Sequence, residues 1–172
     1  WADLTEVMLT MTHLAEVTIQ FALKHHQLWM SHPEQYGQPI GEKSATPRQM
    51  LVVAMGKLGG GELNVSSDVD LIFLYPEEGE TNGRRSISNH EFFTRLGRKL
   101  IASLNDYTVD GYVFRVDMRL RPHGENSPLT ISFAMLEEYF TTQGREWERH
   151  AWLKSRVIVG SSAEEAILME QI

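Results

Sequence analysis

Cysteine is absent from the 172 residues. Disulfides and thiolate metal sites are therefore excluded, and the chain suits a reducing compartment such as the cytoplasm, where it is expected to reside. No apolar run approaches the roughly 18 residues that a membrane-spanning helix needs, so no membrane association is expected. The opening stretch "WADLTEVMLTMTHLAEV" is amphipathic and acidic, unlike a secretory leader. A basic excess is missing too. Sixteen Lys and Arg face 23 Asp and Glu, for a net charge of −7, which argues against nucleic acid as a partner. There is no internal repeat and no low-complexity tract. What remains, 42% apolar and 23% charged residues, is the composition of a globular domain. The sequence opens on Trp1 and stops inside the helix-like "AEEAILMEQI", so it reads as a piece of a longer protein.

The charge is unevenly spread. Residues 1–83 carry a net −7, residues 84–160 a net +3, and the remainder −3. A locally basic region in an acidic chain suits a phosphate-bearing ligand better than a long polyanion.

Residues 4–29 place Leu4, Val7, Met8, Met11, Leu14, Ala15, Thr18, Phe21, Ala22, His25, Leu28 and Trp29 at steps of three and four, one face of a long helix. The adjacent His25 and His26 do not share a face and read as helix-end residues, not metal ligands. "SHPEQYGQPIGEKSATPRQ" reads as a loop or linker over 31–49. "MLVVAM" and "VDLIFLY" read as buried strands, and 76–89 as an exposed loop. Helical spacing recurs from His90 to Leu104, with Gly97 either a tolerated cost or a close-packing point. "DGYVFRVDMRLRP" begins with a turn signal and then alternates, with Val113, Arg115, Asp117 and Arg119 on one face. Ser132 is placed to cap a helix through "FAMLEEYF". "GREWERHAWLKSRVIV" reads as one charged helix, with Glu146–Arg149 pairing and with Trp147 and Trp152 in the core. The expected fold class is α+β, a mixed and partly antiparallel sheet flanked by helices. The expected division is a helical segment at 1–30, a linker at 31–49, a core at 50–143 and a helical extension at 144–172.

One stretch demands chemistry: "MGKLGGGELNVSSDVDLIFLYPE". Alternation along a strand aims Asp68 and Asp70 the same way. Two such carboxylates suit a hard divalent cation, Mg²⁺ or Mn²⁺. If the strand carrying Asp117 lies beside them, three acids complete a two-metal site of the kind that clamps attacking and leaving oxygens in nucleotidyl transfer. Upstream, Gly59, Gly60 and Gly61 permit a nest of N–H groups, Ser66 and Ser67 add hydroxyls, and Lys57 is placed to meet phosphate. Arg119 and Arg121 are candidate contacts to a nucleotide; otherwise they neutralise the acids. Competing motifs fail. Lys57 is followed by Leu58 where a Walker loop needs Ser or Thr, "GKLGGG" lacks dinucleotide-fold spacing, and "DVDLIFLYPEEG" is apolar where an EF-hand needs ligands.

Taken with "GYVFRVDMRLRPHGENSPL" and "GREWERHAWLKSRVI", the stretch closely resembles the bifunctional glutamine synthetase adenylyltransferase/adenylyl-removing enzymes, in three blocks between Met50 and Val159. The resemblance implies a DNA polymerase β-like nucleotidyltransferase domain. It implies Asp68 and Asp70 as the metal-binding pair and Asp117 as the third acid, which also orients or deprotonates the nucleophile. It implies Gly59, Gly60, Ser66 and Ser67 as the phosphate loop. It further implies ATP or ADP and inorganic phosphate as substrates or products, glutamine synthetase as the protein acted upon, and the PII signalling protein as a regulator. "GGGELNVSSDVDLIF" and "REWERHAW" look more like the amino-terminal, removing half of that family. The alternatives are the adenylylating, ATP-using half, a docking module without turnover, or a nucleotidyltransferase with another acceptor.

Overall fold

A computed structural model describes residues 3–171, apart from the side chains of residues 125, 163 and 169–171. Trp1 lies outside the described residues. Helix α1 runs Leu4–Met30. Asp3 starts it, its carboxylate accepting from the Glu6 N–H at 2.7 Å. Strand β1 (Pro39–Gly41) and strand β2 (Leu51–Ala54) follow. A single helical turn, α2 (Gly56–Gly59), leads to β3 (Val69–Tyr75) and β4 (Gly79–Thr81). Helix α3 (Asn89–Asn105) is capped by Ser88. Then come β5 (Val116–Asp117), a short 3-10 turn, β6 (Thr130–Ser132) and α4 (Phe133–Thr142), which Ser132 caps. Helix α5 (Glu146–Trp152), β7 (Arg156–Val159) and α6 (Ser162–Gln171) complete the order. Among the described residues no helix is long and apolar enough to cross a membrane.

The main sheet has the order β5-β3-β2-β7. Strands β2 and β3 are antiparallel, as are β2 and β7. The far edge of β3 is shared by two short parallel partners. β5 pairs with its beginning, β6 with its end. The sheet is therefore mixed. One face, with Val69, Leu71, Phe73 and Tyr75, packs against Ile19 and Leu23 of α1 and Phe92, Phe93 and Leu96 of α3. The other, with Ile72 and Leu74, packs against Leu136, Tyr139 and Phe140 of α4 and Trp152. Both faces of β2 and β3 are covered, so these strands read as continuous apolar runs. Gly97 is a close-packing point, since a Cβ there would lie 2.8 Å from the Phe73 ring.

Several local expectations change. The 31–49 segment holds β1, and the 76–89 loop holds β4. The two form a separate antiparallel pair. Glu77 ties that pair down: its carboxylate accepts from Arg48 at 2.9 and 3.0 Å and from the Ser44 N–H at 2.9 Å. The alternating stretch 112–119 yields only the two-residue β5. The 144–159 helix stops at Trp152, because the β-branched residues Val157, Ile158 and Val159 gain more by extending the sheet beside β2. Trp152 is buried, but Trp147 is 55% exposed. Among the described residues Glu146 and Arg149 do not pair; the Arg149 guanidinium donates to the Phe140 carbonyl instead. On α1 the buried positions are Thr12, Ala15, Ile19, Leu23 and Met30. Leu4, Leu14, Phe21, Leu28 and Trp29 of the expected face are exposed.

Candidate active site

The question raised by Asp68 and Asp70 is answered by the pairing of β3. Its partner β5 runs parallel, with Val69 opposite Val116 and Asp70 opposite Asp117. Paired residues on parallel strands project to the same side, and adjacent strands lie about 4.8 Å apart. Asp117 therefore stands beside Asp70 on the sheet face that carries Ile72 and Leu74. Asp68 lies just before β3 begins, close enough for its charge to act on Asp70.

The three carboxylates differ in surroundings. Burial, then the charges of Asp117 and Asp68, push the Asp70 carboxyl above its ordinary range. Among the described residues it accepts no hydrogen bond and forms no ion pair. Backbone hugs it closely: Gly56 has φ 55°, and a Cβ there would lie 2.6 Å from Asp70 Oδ2. Asp68 is paired with Arg115 at 2.6 Å, and Arg115 also donates to the Ser66 carbonyl at 2.9 Å. Asp117 is gripped by Arg119 through the backbone N–H at 2.8 Å and the guanidinium at 2.5 to 3.1 Å. The Arg119 side chain holds the Asp117 carboxyl below the usual range, against the upward push of burial.

Among the described residues no three acidic or histidine side chains are gathered closely enough to enclose a metal as they stand. Two of the acids face arginines instead. Arg115 and Asp68 are 55% and 42% exposed, and an exposed pair of this kind contributes about 0–1 kcal/mol, whereas Asp117 is only 13% exposed beside Arg119. The half-buried Asp70, without a hydrogen-bond donor among the described residues and flanked by two like charges, is the group whose environment calls for a cation. An all-oxygen donor set fits Mg²⁺ or Mn²⁺.

The glycine segment does not form the expected nest. The Gly59, Gly60 and Gly61 N–H groups donate to the carbonyls of Met55, Gly56 and Leu58. The reason is that "GKLG" winds into the turn α2, which consumes its own donors. Lys57 and Ser67 do meet, Nζ to Oγ at 3.3 Å, and the Ser67 hydroxyl donates to Asn64 at 2.8 Å. The Ser66 N–H donates to the same Asn64 side chain at 3.2 Å. Arg121 is drawn into its own loop, donating to the Met118 carbonyl at 2.7 Å and to Ser127 at 3.1 Å.

Two positions escaped the sequence reading. Gly56 was passed over in favour of the triple glycine, although it directly follows the buried strand. Arg156 lies on β7 and donates to the Gly59 and Leu58 carbonyls at 3.3 and 3.2 Å and to Glu16 of α1. It fixes α2 in place. Gly59 is packed so tightly that a Cβ would lie 2.1 Å from the Lys154 carbonyl oxygen. Nothing local in the sequence signals this contact, because it joins residues almost 100 positions apart.

Comparison with known proteins identifies the family. A family model described as glutamate-ammonia ligase adenylyltransferase matches residues 1–171, so the likeness includes α1. The bifunctional glutamine synthetase adenylyltransferase/adenylyl-removing enzyme of Nitrosomonas europaea is 75% identical over 171 residues, covering 99% of this chain and 18% of that protein. The enzyme of the same name from Nitrosomonas eutropha is 74% identical over 171 residues, with the same two coverages. That of Chromobacterium violaceum is 59% identical over 161 residues, covering 94% of this chain and 18% of that protein. The chain thus spans less than a fifth of the length of these curated relatives. With the family model matching residues 1–171 and relatives up to 75% identical over nearly the whole of it, the chain belongs to the glutamate-ammonia ligase adenylyltransferase family.

Proposed function

We propose that this chain carries a metal-dependent nucleotidyltransferase site that removes the adenylyl group from a tyrosine of glutamine synthetase by phosphorolysis, releasing ADP. The observation that carries the reading is the parallel register that sets Asp117 beside Asp70, with the charge of Asp68 acting on Asp70 as well. The choice of the removing direction rests on the likeness of "GGGELNVSSDVDLIF" and "REWERHAW" to the amino-terminal half of the family. A polymerase β-like core and control by PII belong to the same reading.

Asp68, Asp70 and Asp117 would hold Mg²⁺ or Mn²⁺, which supplies charge neutralisation for the transferring phosphoryl group. In the step itself an oxygen of inorganic phosphate forms a bond to the adenylyl phosphorus. The bond from that phosphorus to the tyrosine oxygen breaks. The phenolate then takes up a proton, and ADP leaves. Asp117 is kept ionised by Arg119, so it orients the attacking oxygen rather than storing its proton. Lys57 and Ser67, just before the acidic strand, offer donors to phosphate oxygens, and the Arg119 guanidinium, held on Asp117, adds positive charge beside them. Arg156, Gly56 and Gly59 position the α2 turn against Asp70.

The test is to incubate the chain with adenylylated glutamine synthetase, Mg²⁺ and inorganic phosphate and to follow ADP. Phosphate-dependent ADP that vanishes in Asp70→Asn supports the reading. Label transfer from ATP to unmodified glutamine synthetase, without phosphorolysis, would assign the opposite direction. Metal-independent or undiminished turnover in Asp70→Asn would sink the assignment of the acids.

A further inference from the structure

A second cavity opens beyond the acids, on the same face of the sheet. Its volume is about 400 Å³, and its walls include Arg119, Arg121, His123, Tyr139, Arg145 and Trp147. Three arginines thus line one space in a chain of net charge −7, Arg119 bonded to Asp117 and Arg121 to Ser127 and the Met118 carbonyl. A smaller cavity around Asp117 shares two of these residues, Arg119 and Arg121. The two spaces are therefore joined by an arginine wall. Strand alternation accounts for the placement. Asp70 faces the side of the sheet that α4 covers further along, and Tyr139 of α4 and Trp147 of α5 line the second cavity.

The cavity is built rather than incidental. Glu148, its one acidic wall residue among those described, is occupied: it accepts from the Tyr139 hydroxyl and from the Arg145 N–H, the latter at 2.9 Å. That leaves its charge turned toward the helix start. Arg145 itself forms no ion pair among the described residues. His123 sits in the left-handed region, at φ 62°, and its ring packs edge-on against Tyr139, with centroids 4.4 Å apart. Trp147 remains 55% exposed at the rim.

We infer that this cavity binds inorganic phosphate, the attacking co-substrate, through Arg145 and the shared arginine wall. The inference rests on the phosphorolytic reading above. Planar guanidinium forks match the oxygens of a phosphate dianion, and they act more strongly where one wall is apolar. Through Arg119 the bound anion lies next to the carboxylate that orients the nucleophile. The same chemistry fits a nucleotide phosphate, and the experiment separates these sources.

The chain is titrated with inorganic phosphate, and separately with AMP, while tryptophan fluorescence is followed. The expected result is a saturable phosphate response that disappears in Trp147→Phe. It should weaken by about tenfold in Arg145→Ala and less in Arg145→Lys, as a charge-assisted contact requires. It should persist in Asp70→Asn. In phosphorolysis, Arg145→Ala should raise the KM for phosphate by a similar factor with kcat and the KM for the adenylylated protein little changed. Arg145→Ala weakening AMP but not phosphate would overturn the choice of free phosphate. Normal phosphate KM in an active Arg145→Ala enzyme would overturn the site while leaving the proposed function standing. Phosphate binding that depends on Arg145, in a chain that makes no ADP, would keep the site and sink the phosphorolysis.

Discussion

Replacing Asp70 by Asn should stabilise the metal-free protein while destroying its response to metal. The carboxylate is half-buried, has no donor among the described residues, and lies across the β3–β5 pairing from Asp117, with the charge of Asp68 acting on it as well. Two unit charges at the inter-strand spacing of about 4.8 Å repel by about 1 kcal/mol in water and about 3 kcal/mol at a surface-like dielectric. Arg119 and Lys57 attract the same group and offset part of this. Solvent removes more, leaving a net gain of about 1 kcal/mol for Asn at neutral pH. For a chain of this length that corresponds to a rise of about 3 °C in Tm. Mg²⁺ should reverse the order. At tenfold excess over its Kd it adds about 1.4 kcal/mol to a protein that binds it only when folded. Chemical denaturation of both proteins at pH 7, with chelator and then with Mg²⁺, reads both effects. A variant less stable than wild type in chelator would refute the repulsion. Equal gains from Mg²⁺ in both proteins would refute the site.

Other perturbations follow from named contacts. Arg115→Ala releases Asp68 from its 2.6 Å partner and should tighten Mg²⁺ binding about threefold to tenfold, read by calorimetry; unchanged or weaker binding would contradict competition between arginine and metal. Gly59→Ala drives a methyl into the Lys154 carbonyl and should cost about 1–3 kcal/mol or more, read by denaturation, whereas a neutral result would mean β7 shifts freely. Glu77 is pushed up by burial but pulled further down, to about 2, by the Ser44, Lys43 and Arg48 donors. A depressed folded value means its contribution is present above the ordinary carboxylate range and is lost as pH falls from about 4.5 toward about 2. Glu77→Gln should therefore lower stability by about 1–2 kcal/mol at pH 7 and flatten that acid limb; identical acid limbs would remove Glu77 from the account.

Much of this was readable in the sequence wherever a signal was local. The uninterrupted apolar run 69–75 marked the central strand, Ser132 marked a helix start, and Asp-x-Asp at a strand mouth marked the acids. Asp117 could be assigned to the same face by alternation, but its proximity depended on a parallel pairing that only tertiary structure supplies. What stayed hidden was non-local. Strands β1, β4 and β7 are three or four residues long, and their partners, not their propensities, make them strands. The glycine segment misled because a run of glycines permits a nest and a helical turn equally. The turn prevails here because Arg156 and the Lys154 carbonyl hold it. The α1 pattern misled for another reason. Its apolar residues cover more than one face, and the stripe through Ala15, Ile19 and Leu23 is the one buried in the core that α3 and the sheet share.

The most direct test of the three-acid site is a Mn²⁺ titration of the chain followed by electron paramagnetic resonance, with and without ADP. Bound Mn²⁺ whose affinity falls by about tenfold or more in Asp70→Asn and in Asp117→Asn is the result expected of shared carboxylate ligands. Mn²⁺ binding that is indifferent to both substitutions would contradict it.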